Sequence, residues 1–179
     1  EGRRLPDGLP AALAWQPGWD WSLYGLLVGY ALKQPYPLLA ANLDTQDVRR
    51  IYAQAPVLSG ARSNARPVTQ LLSAQIRESH CGLLPESQVP SMLAVQQQRD
   101  RRMAERLLAA PTPALLFAGS FHGRRDLGVP LHMADLDQGQ EVVVLILAEQ
   151  GSEVSPASAD YVWYTPPQPP KDYCAQLKP

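Results

Sequence analysis

The sequence predicts an α/β fold with a largely parallel central sheet covered by helices on both faces. Three observations carry this. Short apolar runs at 37–41, 114–118, 141–148 and 161–164 alternate with longer segments whose apolar residues recur at three- and four-residue steps. The strongest run, EVVVLILA at 141–148, shows no polar alternation, which suits a strand buried on both sides, as parallel strands are. Turn-forming clusters separate the segments, supplied by 18 prolines and 12 glycines.

In chain order, the opening EGRRLPDGLP lacks the apolar core of a signal peptide, and with no first strand before a Pro-rich segment the fold is expected either to start with a helix or to lack an N-terminal portion. Asp20 is placed to cap a helix over 21–32. Residues 15–30 hold three tryptophans and two tyrosines, expected mostly as core, with Tyr24 the exception if it faces a cleft. The run 37–41 reads as a strand ending at Asn42, after which Asp44 or Thr45 starts a helix. Residues 57–67 form a loop. A helix over 68–80 places Leu71, Leu72 and Ile76 on one side and stops at Gly82, leaving His80 beside its C-terminus. The longest helix, over 85–110, has its buried seam at Val89, Leu93, Gln96, Asp100, Met103 and Leu107. Gln96 and Asp100 interrupt that seam, and an unpartnered buried polar group is costly, so they are expected to meet His122, Arg124 or a ligand.

The run 114–118 reads as a strand that hands over at Gly119 to a loop carrying His122, Arg124, Arg125 and Asp126, closed by Gly128, Val129 and Pro130. Loops at strand ends are where sites sit in α/β sheets. The plainer reading is a solvated turn with His122 bonded to backbone. A short helix over 129–136 and the strands 141–148 and 161–164 complete the chain.

With 179 residues, one domain with a sizeable core is expected. A net charge of -1, from 16 Lys plus Arg against 17 Asp plus Glu, gives no field to steer nucleic acid or an anionic membrane. No apolar run is long enough to span a bilayer, and no nucleotide fingerprint occurs. Cys81 and Cys174 lack C-x-x-C partners, so they are two buried thiols or a disulfide. The disulfide is favoured, because it ties down a Pro-rich tail, and it implies an oxidising compartment.

Taken together, His122-x-Arg124-x-Asp126-x-Gly128-Val129-Pro130, Ala-Ala-Asn-Leu at 40–43, Ser79-His80-Cys81-Gly82, Gln98-Arg99-Asp100 with Met103-Ala104, and Asp160-Tyr161-Val162-Trp163 resemble the ChaN family. These are iron-regulated, haem-binding envelope lipoproteins of Gram-negative bacteria. The resemblance runs from about Trp19 to Cys174. It implies one ChaN-like domain over 1–179 that lacks the family's N-terminal strand, its Gly-Glu-x-His-type motif and its lipoprotein signal. It also implies haem held between two protomers, with membrane association only through a lipid anchor and location in the periplasm or at the outer membrane.

A tyrosine is the axial ligand implied by the resemblance, and a phenolate, as a hard anionic donor, suits ferric iron. Tyr24 is the first choice; Tyr161, Tyr36 and Tyr52 compete. His80 and His122 are expected near the propionates or as a second ligand, and Arg124 and Arg125 as bidentate partners of propionate. Asn42, Gln96 and Asp100 complete the expected polar set. The alternative is a metal-dependent hydrolase of the Tiki or erythromycin-esterase-like type, with His122, His80 and Asp100 joined by an absent N-terminal Glu/His motif. A third reading is an interaction module whose polar loop only organises the fold.

Overall fold

The computed structural model describes residues 7–170 and 172–176, and the chain divides into two compact units, Glu1–Ala40 and Ala41–Pro179, where the sequence reads as one domain. In the first, a short helix α1 (Leu9–Ala12) precedes α2 (Trp21–Leu32). Asp20 begins α2 as expected: its carboxylate accepts the Ser22 N–H at 2.9 Å. Every side chain of α2 is apolar, aromatic, hydroxyl or glycine, without a charge, yet none of its residues is buried. The aromatics cluster locally, Trp15 meeting Trp21 edge-on at 5.0 Å between ring centroids.

The second unit is organised on one long helix. In order come α3 (Thr45–Ala53), α4 (Arg66–Ser79), a 3-10 turn (Glu86–Gln88) leading into α5 (Val89–Ala109), α6 (Ser120–Gly123) and α7 (Val129–Leu136). The Asp44 carboxylate accepts the Asp47 N–H at 2.7 Å and so starts α3. α4 begins slightly before the expected 68, because Pro67 fits the first helical turn, where an N–H is not needed. Leu72 and Ile76 are buried there, but Leu71 is exposed, one residue step being about 100° round the helix. α3, α4 and α7 all pack on α5. Met103 and Ala104 of α5 form the core with Val129 and Met133 of α7, flanked by Leu107, Leu108, Leu116 and Val142.

Strands β1 (Leu145–Glu149) and β2 (Tyr161–Thr165) pair in parallel, in the register Leu145 with Tyr161 through Glu149 with Thr165. The α/β class and the parallel pairing agree with the sequence. The breadth of the sheet does not: among the described residues it has two strands. The runs 37–41 and 114–118 join no ladder, and Leu38, Leu39, Leu115 and Phe117 are exposed. An apolar run becomes a strand only where a neighbour takes up its backbone hydrogen bonds, and no described strand lies beside these two. Leu145, Leu147, Tyr161 and Trp163 are likewise exposed, so described helices do not cover that face.

Cys81, just past α4, is disulfide-bonded to Cys174 across 93 residues of sequence, which ties the Pro-rich tail to the body. The loop 57–65 is held from within by Asn64, whose amide donates to the Leu58 and Gly60 carbonyls at 2.9 and 2.8 Å, and more extensively from outside. Asp135 of α7 accepts the N–H groups of Arg62 and Ser63 at 2.9 Å each and the Ser63 hydroxyl at 2.7 Å. Gln97 of α5 donates to the Ser63 carbonyl at 3.0 Å, and the Arg101 guanidinium donates to that of Ser59. Gly60 passes so close that a Cβ there would lie 2.2 Å from an Asp135 carboxylate oxygen, at a φ of +129°. Asp135→Ala removes three hydrogen bonds to one carboxylate and leaves the fully buried Ser63 unsatisfied. We expect a loss of about 2–4 kcal/mol in urea unfolding, with Asp135→Asn costing less; an unchanged midpoint for the alanine variant would show that the loop is not held this way.

Candidate functional site

Helix α5 presents two polar ladders, each with a step of four residues, which is one turn of helix. The first is Gln96 and Asp100. Asp100 has no exposed surface, and the Nδ1 of His122 lies 2.5 Å from its Oδ1. The Gln96 amide nitrogen is 3.2 Å from the same Nδ1. His122 is delivered by α6, and its position is fixed from behind: a Cβ at residue 128 would lie 2.1 Å from the His122 carbonyl oxygen, so only glycine fits there. The two polar residues that interrupt the seam therefore meet His122.

Burial drives the Asp100 carboxyl up to about 6, against the hydrogen bond from His122, the charges of His122 and Arg99, and the Gln96 amide. Once ionised, Asp100 accepts the Nδ1–H of His122, which leaves the Nε2 lone pair free; the His122 side chain is 20% exposed. Asp100 Oδ2 makes no hydrogen bond among the described residues. Arg99, half-buried beside this pair, has its pKa lowered by burial, opposed by the charge of Asp100. The assembly is a buried carboxylate orienting an imidazole whose far nitrogen accepts a proton or donates an electron pair.

The second ladder, Gln97 and Arg101, was not read from the sequence. Arg101 Nε donates to Nδ1 of His132 at 3.4 Å, and His132 is fully buried with Nε2 unpartnered among the described residues. Burial, then the charge of Arg101, pushes the His132 pKa down to about 4. The signal was present in QQQRDRR: the same four-residue step that pairs 96 with 100 pairs 97 with 101 one position round the helix.

The remaining expected residues are placed elsewhere. Arg124 makes a bidentate pair with Asp126, at 2.9 and 2.6 Å, which raises its own pKa and lowers that of Asp126. Arg125 pairs with Asp160, whose carboxylate also accepts the Val144 N–H at 2.8 Å. Both guanidiniums, expected as bidentate partners of propionate, thus have carboxylate partners inside the fold, because a half-buried charge is satisfied by the nearest carboxylate. His80 donates or shares a proton at 2.7 Å with the Ile76 carbonyl of its own helix. Asn42 accepts the Leu43 N–H at 2.8 Å in a tight turn. Tyr52 donates to Gln88 at 2.9 Å, Tyr36 and Tyr161 are exposed, and the ring of Tyr24 lies 5.1 Å from that of Trp19 and 6.2 Å from that of Trp15. No group of three or more His, Cys, Asp or Glu suited to a bare metal ion occurs among the described residues.

The folded pKa of Asp100 lies above its unfolded value, so its stabilising effect is complete below about pH 3.8 and is lost as pH rises through about 6. Asp100→Asn removes that loss. Its melting temperature relative to the parent should therefore be higher at pH 7.5 than at pH 4.5, by the equivalent of about 2 kcal/mol. Nitrogen NMR of His122 should show Nδ1–H in the parent at pH 7.5 and mixed tautomers in the variant; an unchanged tautomer would show that Asp100 does not orient the ring.

A family model described as haem-binding uptake, Tiki superfamily, ChaN, matches residues 3–133. Among solved structures, "Cofacial heme binding to ChaN of Campylobacter jejuni" is similar, with 33% sequence identity and a TM-score of 0.79, over 86% of this chain and 60% of that one. The present chain thus spans about 60% of the length of that neighbour. No curated protein matches the sequence. The family match covers well over half of the 179 residues, and the chain belongs to the haem-binding uptake family ChaN of the Tiki superfamily.

Proposed function

We propose that this protein binds haem in the bacterial envelope as part of haem and iron uptake, that a tyrosine supplies the axial ligand, and that two copies close around the ligand. The observation that carries this reading is α2: twelve residues without a charge, none buried, in a chain of a haem-binding family. An exposed apolar helix needs a cover, and a porphyrin is a flat apolar one. The donor set fits. A bare ion needs several protein ligands, whereas haem brings four nitrogens and asks the protein for one or two axial atoms, for which exposed tyrosines suffice. Bound haem supplies a ferric centre and two propionates; the protein's part is to cover its faces and hold one oxygen donor. The Cys81–Cys174 disulfide supports an oxidising compartment such as the periplasm, where a lipid-anchored uptake protein works.

Titrating the purified protein with haemin, with absorbance and size exclusion on the same samples, should give saturation, a phenolate-type ferric spectrum and a shift from monomer to dimer. Non-saturable uptake without a size change would overturn the proposal. One observation favours a second reading, hydrolysis: the buried Asp100 that orients His122 is the arrangement of a general base. Ester or peptide turnover that disappears in His122→Ala would establish that reading.

A further inference from the structure

Helices α3 and α5 pack side by side and leave an open groove of about 420 Å³ between them. Gln98, Arg101, Arg102 and Glu105 of α5 line it, at steps of three, one and three residues, which is one face of that helix. Asp47, Arg50, Ile51 and Gln54 of α3 line it with the same steps. The groove thus carries three guanidiniums against two carboxylates. Arg50 is neutralised by its ion pair with Asp47. Arg101 and Arg102 form no ion pair among the described residues, although exposed Glu105 lies one turn further along the helix. Arg101 is the unusual member of the set. It is 7% exposed, and a guanidinium withdrawn from water without a counter-charge is costly. Its hydrogen bonds go to neutral groups, the Ser59 carbonyl and Nδ1 of His132, an imidazole kept uncharged by burial and by Arg101 itself. Asp135 feels its charge but gives its oxygens to Arg62 and Ser63. The second terminal nitrogen of Arg101 has no partner among the described residues and keeps access to solvent, on the side where the residue lines the groove.

We infer that this groove binds a small organic dianion, its two charges carried by carboxylate or phosphate, with Arg101 and Arg102 as the cationic partners. The site stands apart from the haem reading and does not depend on it. Arg101 supplies the anchor: Ser59 and His132 already hold its guanidinium in one orientation, so an anion that meets it orders no flexible side chain. The anion in turn gives the buried cation the counter-charge that the fold withholds. Half-buried Arg102, next in sequence on the same face, supplies the second charge. The amides of Gln54 and Gln98 can donate to or accept from the polar remainder of the ligand, and buried Ile51 gives its carbon skeleton an apolar contact. A groove of about 420 Å³ lies at the small end of ligand sites, which suits a short dicarboxylate or the phosphate ester of one small ring. Glu105 opposes an anion in this groove, so its charge limits affinity.

The test uses the full chain in chloride buffer with succinate and phenyl phosphate as probes, read by isothermal titration calorimetry and by melting temperature. The parent should bind at least one of the two saturably and melt higher in its presence, since a ligand of the folded state raises the midpoint. Arg102→Gln should weaken that binding by about tenfold or more, the loss of one charge-assisted contact. Glu105→Gln should tighten it by about threefold, as removal of an exposed like charge does. Neither variant touches the hydrogen bonds of Arg101, so both should melt near the parent without ligand. Arg101→Gln, with circular dichroism to establish its fold, should abolish binding; if it does not fold, Arg102→Gln and Glu105→Gln decide the matter. Arg66→Gln, at an exposed arginine of α4, should leave the affinity as it is. Saturation by succinate alone marks the ligand as a dicarboxylate, and by phenyl phosphate alone as a phosphate ester. Heats that never saturate with either probe, or an affinity that Arg102→Gln leaves unchanged, overturn the assignment and leave the haem reading untouched.

Discussion

A carboxylate with no exposed surface lies in the middle of the helix on which the second unit is built. Keeping Asp100 there is costly, and its neighbours reflect this: an imidazole on one oxygen, a glutamine amide beside it, a half-buried arginine within reach of its charge. The His122 loop can therefore settle in one position only, the one that brings Nδ1 to Asp100. Gly128 permits the backbone to fold tightly enough for this, and Arg124 and Arg125, each bound to a loop carboxylate, brace the same turn. The polar centre is thus first a device that registers α6 and α7 on α5. Whatever chemistry His122 performs uses the nitrogen that this registration leaves over.

The two units divide the chemistry. The larger one concentrates polar and charged groups inside, with Asp100, Arg101 and the neutral imidazole of His132 all buried. The smaller one does the opposite: its main helix carries no charge and exposes its leucines. A protein that only needed to be stable would have reversed both choices, since buried charge and exposed leucine each reduce stability or solubility. The haem reading accounts for the second inversion and is silent about the first. The orientation of His122 by Asp100 accounts for the first.

Much of this was legible in the sequence for identifiable reasons. Asp20 and Asp44 are helix caps, and capping depends on a few neighbouring residues. Gln96 and Asp100 break a hydrophobic seam, and a broken seam announces a polar partner, found in His122. The sheet was over-read at 37–41 and 114–118 because strand pairing depends on a neighbour elsewhere in the chain, which composition cannot supply. The pairing of Arg124 with Asp126 and of Arg125 with Asp160 was not legible, because ion pairing is a matter of side-chain geometry.

The loop 57–65 carries a lesson about where a shape is written. Asp135, Gln97 and Arg101 grip its backbone amides and carbonyls far more than its side chains. The path of the loop is therefore encoded largely in two helices distant in sequence, and among the loop's own letters Gly60, Ser63 and Asn64, whose amide donates to the Leu58 and Gly60 carbonyls, share that duty. Val57, fully exposed, marks the freest end. A fluorophore or affinity tag attached at Val57 would therefore sit clear of the helices that shape the loop.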